Sequence, residues 1–248
     1  MNYIEKNLYA FYSIFGSSYS VRHIVEKDYE VIMSESGYWP QMIYNIQPSV
    51  PPDEIVPKIT SGISEKGYPP FFIAPDNYIS RAHAGILKKY GIMPVKMLYG
   101  MNLDVHSLNE YLPNKKFTVS ELVAANELNQ FNDLINSELL SDDLRIHPTL
   151  LKDLKNNQVK LFGIKENEML ISALFVLELE NKAGLYFIVT RKEFQQKGYA
   201  TMLIRFVINH LNNNQINELI LHANQNASGL YRKIGFINQN RFIIYRKF

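Results

Sequence analysis

The chain has 248 residues and nearly balanced charge, with 26 Lys and Arg against 24 Asp and Glu, which gives a formal net charge of +2. This balance provides no electrostatic footprint for nucleic acid or an anionic membrane, so we expect neither as a partner. The chain has no cysteine, which excludes disulfides, thiolate metal sites and a cysteine nucleophile. We expect no metal.

The ends of the sequence and its apolar runs favour a soluble protein. Residues 1–16 include Glu5 and Lys6 and have no sustained apolar run, so they do not resemble a signal peptide. The longest apolar stretch, 169–179, is too short to span a bilayer. We expect a cytoplasmic location.

The N-terminal half alternates β-rich runs with helical patterns. Apolar residues recur at helical spacing in two segments, the first of which contains Pro57 in its opening turns. The predicted elements are a strand at 41–46, a helix at 53–64, a strand at 71–74, a helix at 79–91 and a strand at 93–103.

The C-terminal half begins with three β-rich runs at 159–164, 169–179 and 184–190, which predict an antiparallel meander. A helix at 199–211, a strand at 218–223, a short helix at 227–236 and a final strand from Arg241 follow. We expect the final strand at a sheet edge. This order predicts an α/β fold with a mixed, mostly antiparallel central sheet flanked by helices.

The two halves share a short segment. AGILKKYGI (84–92) and SGLYRKIGF (228–236) match at both glycines and at one lysine, and three further pairs of residues are similar in kind. Together with the shared element order, this predicts two related modules, at 1–110 and 117–248, with a boundary in 106–116. The alternative is that residues 1–110 form an unrelated α/β domain.

A polar loop with one glycine, QQKGYA (195–200), precedes the helix at 199–211 without a usual N-cap residue. The first N–H groups of a helix lack intrahelical partners, and the helix dipole adds positive charge there. Such a start favours a phosphate or pyrophosphate site. The alternative is an ordinary strand-to-helix turn.

This loop resembles the Gln/Arg-x-x-Gly-x-Gly/Ala motif of the GNAT superfamily of acyl-CoA-dependent N-acetyltransferases. The later segment with Asn224, Ala227, Leu230–Tyr231 and Gly235–Phe236 is similar to the second signature of that family. Both motifs stand in the family's order, and the resemblance covers about residues 117–248.

The resemblance implies that acetyl-CoA binds across the sheet and that a primary amine attacks its thioester directly, without a covalent enzyme intermediate. It places the cofactor against the strand end and the loop, and assigns the oxyanion to an N–H near Ile188 or Val189. The implied cofactor-binding residues are Ile188, Val189, Thr190, Gln195, Gln196, Lys197, Gly198, Tyr199, Ala200, Asn224, Ala227 and Tyr231.

Tyr231 stands where many family members place the general acid, so the resemblance implies that its phenol protonates the departing thiolate. The alternative is a packed aromatic whose hydroxyl only contacts the sulfur. The base stays open: Glu178, Glu180, Tyr186 and His222 are the titratable side chains near the predicted cleft, and none is assigned.

The first module lacks these features. Its corresponding loop, QPSVPPD (47–53), has three prolines and no glycine, and Leu87 replaces Tyr231. Proline has no N–H, so we expect a degenerate copy that binds no coenzyme A and shapes the acceptor side.

Two other functions stay open: a non-catalytic acyl-CoA-binding or sensing protein, and a tRNA-dependent aminoacyl transferase, against which the charge balance argues. The sequence predicts a small-molecule or peptide amine as acceptor, but not which one, nor the acyl-chain length or the oligomeric state.

Overall fold

A computed structural model describes residues 2–107, 117–140, 144–154, 158–212 and 215–248. Within these ranges the α-helices are α1 (Tyr3–Ser13), α2 (Pro52–Lys66), α3 (Ala84–Lys89), α4 (Ala125–Glu138), α5 (Leu150–Asp153), α6 (Tyr199–Asn212) and α7 (Gln225–Ile234). The strands are β1 (Val21–Val25), β2 (Glu30–Ser34), β3 (Gln41–Tyr44), β4 (Phe71–Pro75), β5 (Ile92–Asp104), β6 (Thr118–Glu121), β7 (Val159–Glu166), β8 (Met169–Leu179), β9 (Lys182–Thr190), β10 (Glu218–Ala223) and β11 (Ile237–Lys247).

All eleven strands form one sheet, in the order β1-β2-β3-β4-β11-β5-β10-β9-β8-β7-β6. The pairs β3–β4 and β9–β10 are parallel, and the other neighbours are antiparallel. The sheet is therefore mixed and mostly antiparallel, with helices on its faces, as the sequence predicts.

The two halves exchange their last strands. β5, from the N-terminal half, pairs with β10, whereas β11, at the end of the chain, pairs with β4. β5 and β11 also pair with each other along most of their lengths. The prediction that the C-terminal strand lies at a sheet edge is wrong, because β11 occupies the middle of the sheet and the edges are β1 and β6.

The halves also repeat a local geometry. β3-α2-β4-α3-β5 has the same order as β9-α6-β10-α7-β11, and each parallel strand pair begins the repeat. Tyr44 and Tyr186 are each followed by a residue with positive φ, Asn45 at 51° and Phe187 at 47°. The duplication itself stays a prediction. Of the predicted boundary, 108–116 lie outside the described residues.

The core has three parts. α1 and α4 cover one face of the sheet, with Phe11, Phe131 and Phe175 buried against it. On the other face, α6 and α7 cover the C-terminal strands, and α2 and α3 cover the N-terminal strands. Since both faces are covered there, β8 is buried at every residue from Leu170 to Leu177 and is a nearly continuous apolar run rather than an alternating one.

The helix predicted at 79–91 is shorter in the structure. Ser80 caps a 3₁₀ turn at Arg81–His83, and α3 spans only Ala84–Lys89. Gly91 follows with φ 65°, a left-handed conformation that suits glycine and ends the helix. Within the described ranges, no helix is both long enough and apolar enough to cross a bilayer.

Candidate active site

The site begins where β9 and β10 separate. Their parallel pairing ends at Leu185 and Leu221, and no described residue pairs with β9 on that side beyond this point. Phe187, at φ 47°, coincides with a register shift against β8, so the strand bulges away from its neighbour. In the described part of the chain, the segment Tyr186–Thr190 therefore has no strand partner on the β10 side, where an open gap lies.

The loop after β9 leaves a row of amides without acceptors. The first hydrogen bond at the start of α6 runs from the N–H of Met202 to the carbonyl of Gly198, at 3.0 Å. In the described part of the chain, no backbone carbonyl accepts from the N–H groups of residues 196–201. Gln196 and Gly198 have φ of 61° and 87°, which turns successive amides toward one side. This is the geometry of an anion site.

A cavity of about 460 Å³ lies between this loop and α7. Nine of the predicted cofactor-binding residues line it: Ile188, Thr190, Gln195, Gln196, Gly198, Tyr199, Ala200, Ala227 and Tyr231. The structure adds three that the motifs did not single out, Phe194, Thr201 and Asn226, and also Leu230, which belongs to the second motif but was not among the predicted cofactor-binding residues. Thr201 and Asn226 lie in the first turns of α6 and α7, a position that the predicted helix starts could have indicated.

Three predicted residues do not line this cavity. Val189 is buried in the core on the opposite face, and the Lys197 ammonium lies 5.2 Å from the centroid of the Phe194 ring. Asn224 caps α7 by accepting from the N–H of Ala227 at 2.9 Å. Its position is therefore explained by the helix start.

The positive character of the site comes from backbone rather than side chains. Of the described residues that line the cavity, none is Lys or Arg. Arg191, directly after β9, donates from its Nε to the carbonyl of Leu170 at 2.7 Å. Gln195 ties the loop down by donating from its side-chain amide to the carbonyl of Thr190 at 3.0 Å.

Tyr231 lies at the junction of two cavities. It lines the 460 Å³ cavity and also a second one of about 170 Å³, as do Ile188 and Ala227. The side chain is 7% exposed, and burial raises the pKa of its hydroxyl to about 12. No described residue hydrogen-bonds to this hydroxyl, which stays protonated at neutral pH and can donate.

The titratable side chains near the predicted cleft are poorly placed to act as the general base. Glu178 pairs with Lys160 at 2.7 Å, and Glu180 pairs with Lys6 at 2.6 Å. Neither glutamate lines either cavity. Tyr186 does line the second cavity, but its hydroxyl donates to Asn7 at 2.5 Å and burial raises its pKa well above the ordinary value.

His222 also lines the second cavity, and neither of its buried ring nitrogens has a hydrogen-bond partner of normal geometry among the described residues. It stacks on Tyr186, with ring centroids 6.0 Å apart. Desolvation lowers the pKa of His222 to about 3, and a backbone group of Ile4 opposes this only partly. A neutral imidazole with so low a pKa is a weak base at neutral pH.

The pKa of His222 predicts acid sensitivity. The unfolded chain takes up this proton below about pH 6.5, while the folded chain does not until about pH 3, so stability falls as the pH drops through that window. Compared with His222→Phe, wild-type protein should lose about 2 kcal/mol more of its unfolding free energy between pH 7 and pH 5. Urea unfolding at both pH values measures this, and parallel losses in the two proteins would contradict it.

The corresponding loop of the N-terminal half lacks the features of an anion site. α2 begins at Pro52, after Pro51, and Asp53 and Glu54 lie in its first turn. The N–H of Glu54 already donates to the carbonyl of Pro51 at 3.0 Å. Two prolines without N–H and two carboxylates make this helix start unsuitable for a phosphate.

The fold is similar to that of several solved structures. The chain resembles a GCN5-related N-acetyltransferase from Kribbella flavida, with a TM-score of 0.72, 12% identity and coverage of 100% of this chain and 96% of the other. It also resembles one from Sphaerobacter thermophilus, with a TM-score of 0.66, 13% identity and coverage of 90% and 81%. A tandem GNAT protein from the clavulanic acid biosynthesis pathway gives a TM-score of 0.59, 9% identity and coverage of 88% and 77%.

The family assignment comes from the sequence model of an acetyltransferase (GNAT) domain, which matches residues 126–244. This part of the chain is a GNAT acetyltransferase domain, as its two motifs indicate. It contains the separated strands β9 and β10, the loop at 195–200 and both helices that border the cavity. No curated protein matches the chain.

Proposed function

We propose that residues 117–248 transfer an acetyl group from acetyl-CoA to a primary amine by direct attack. The observation that carries this proposal is the row of unpartnered amides at 196–201, which borders the same cavity as the open edge of β9 and Tyr231. A pyrophosphate needs the first feature, a pantetheine arm needs the second, and a thioester needs a proton donor where the strands separate.

In this proposal each of these groups contacts one part of the cofactor. The pyrophosphate accepts hydrogen bonds from the amides of Gln196–Ala200, where the α6 dipole adds positive charge. The pantetheine arm pairs with the backbone of Ile188–Thr190 like an added strand. Ala227 and Leu230, on α7, form the opposite wall. The thioester then lies at the separation of the strands, beside Tyr231.

The reaction follows from this placement. The amine nitrogen attacks the thioester carbonyl carbon, and an N–H near Ile188 or Val189 stabilises the oxyanion. The C–S bond then breaks, and the Tyr231 hydroxyl gives its proton to the leaving sulfur. The amine loses one proton as the amide forms, and this proton restores the phenol.

The high pKa of Tyr231 has two effects on this step. A phenol with a pKa of about 12 is fully protonated at neutral pH and so is always ready to donate. It is also a weaker acid than a free thiol, whose pKa is about 8.5. Since a thiolate in the same water-poor cleft is destabilised as well, the transfer becomes feasible there.

A thiol-release assay tests the function. Purified protein with acetyl-CoA and a mixture of primary amines should release coenzyme A in step with an amine of one added acetyl group, detected by mass spectrometry. Little thiol should appear without amine, because direct attack makes no enzyme-bound acetyl group. Binding of acetyl-CoA without any acetylated amine would favour the sensing protein instead, and thiol release that ignores the amine would contradict direct attack.

A further inference from the structure

The wall of the second cavity comes partly from the N-terminal half. Lys96 and Leu98, both on β5, line it together with Tyr186–Ile188 of β9 and Tyr231 of α7. β5 reaches this place because the two halves exchange their last strands. Its pairing with β10 ends at Tyr99 and Ala223, so residues 92–98 extend past β10 beside the gap.

The cavity adjoins the cofactor cavity at Tyr231 and Ile188, on the side from which an amine would reach the thioester. Much of its wall is apolar, with Leu98, Leu139 and Phe187. The Phe187 ring is held by aromatic neighbours, with Trp39 at 5.1 Å and Phe11 at 5.4 Å between centroids. An acceptor with an apolar body fits this wall.

The polar groups of the cavity favour an anionic acceptor over a cationic one. Among the described lining residues there is no Asp or Glu, and Lys96 is the one charged side chain. His222 is neutral, the Tyr186 hydroxyl is held by Asn7, and Asn224 caps α7. A second ammonium group on the acceptor would therefore meet no opposite charge here.

Lys96 itself is exposed and has no ion-pair partner among the described residues. The other lysines beside carboxylates, such as Lys160 and Lys182, are already paired with Glu178 and Glu218. Its ammonium is thus free to bind an anionic group at the mouth of the cavity.

We propose that the acceptor is a primary amine on an apolar frame that also carries a carboxylate, and that Lys96 pairs with this carboxylate. The inference rests on the proposed function, since it assigns the substrate of the same site. It gives the N-terminal half a specificity role: a strand of that half selects the amine that its partner half acetylates.

Matched amines test the proposal in the thiol-release assay. Leucine, phenylalanine and 6-aminohexanoate are compared with isopentylamine, phenethylamine and pentylamine, which lack the carboxylate, and with 1,5-diaminopentane. At least one amino carboxylate should exceed its decarboxylated counterpart in kcat/KM by about fivefold, the size of one ion pair at a partly exposed site. Lys96→Glu should reverse this order, whereas Lys88→Glu, at an exposed position on α3, should preserve it.

Titration of each variant with acetyl-CoA distinguishes an error in the acceptor from an error in the proposed function. If acetyl-CoA binds but the amines without carboxylate or the diamine are preferred, the proposal is wrong and the proposed function stands. The same holds if Lys96→Glu leaves the order unchanged, or if no amine of the panel is acetylated. Failure of wild-type protein to bind acetyl-CoA would instead overturn the proposed function.

Discussion

Gly198→Glu should abolish measurable binding of acetyl-CoA while the protein stays folded. The substitution places a carboxylate at the amides that we assign to the pyrophosphate, and the repulsion between like charges a few ångströms apart costs about 1–4 kcal/mol. With the loss of space at the loop, affinity should fall by about a hundredfold or more. No atom lies within 4 Å of a Cβ at this position, so the side chain has room in the free protein. Calorimetric titration measures the effect.

Two variants separate charge from backbone strain. Gly198→Ala keeps the strain of a side chain at φ 87° but adds no charge, so it should cost about 1 kcal/mol of stability and little affinity. Gly85→Glu adds the same carboxylate on α3, where a Cβ also meets open space, and should leave binding unchanged. Wild-type affinity in Gly198→Glu would show that the loop does not hold the cofactor's phosphates.

Tyr231→Phe should reduce kcat by about a hundredfold, the usual lower range for a lost general acid, and leave the Kd for acetyl-CoA within about twofold. The ring, which packs edge-to-face with Phe236 at 6.1 Å, is retained. Only the proton donor at the junction of the two cavities is lost. Steady-state thiol release and calorimetry give the two quantities.

Tyr245→Phe is a matched control for this result. Tyr245 is also buried, and burial raises the pKa of its hydroxyl to about 12, but it lies on β11 in the core of the N-terminal half. Its loss should leave kcat unchanged. An equal kcat in Tyr231→Phe and wild type would remove Tyr231 from the chemistry and leave it as a packed aromatic.

The sequence predicted the local elements of the C-terminal half closely. The strands at 169–179 and 218–223 agree with β8 and β10 at both ends. Each of these strands is defined by an apolar run and by the polar turns beside it. Such short-range patterns are visible in the sequence. The motif residues gather at one cavity for the same reason, since the strand, loop and helix that carry them are consecutive.

Short-range sequence patterns could not predict the exchange of β5 and β11. Either strand suits the place beside β4 or beside β10, because both are long and pair mainly through their backbones. The choice depends on contacts between residues far apart in the chain. For this reason Lys96, which the exchange brings to the second cavity, carried no signal in the sequence, and neither did the helix α1 that covers the sheet near Tyr186.

The burial of His222 was also hidden from the sequence. Its place at the end of a predicted strand put a titratable side chain near the predicted cleft. Its low pKa, however, comes from packing against Tyr186 and Phe242, which belong to other strands. Only the assembled sheet shows that this imidazole is too weak a base for the reaction.

The central claim is that the cavity beside the loop at 195–200 binds acetyl-CoA. Calorimetric titration of wild-type protein with acetyl-CoA, coenzyme A and ATP tests it most directly. We predict micromolar affinity for the first two and none for ATP, since binding needs both the pyrophosphate and the pantetheine arm. Absence of binding by acetyl-CoA, or equal binding of ATP, would contradict the account.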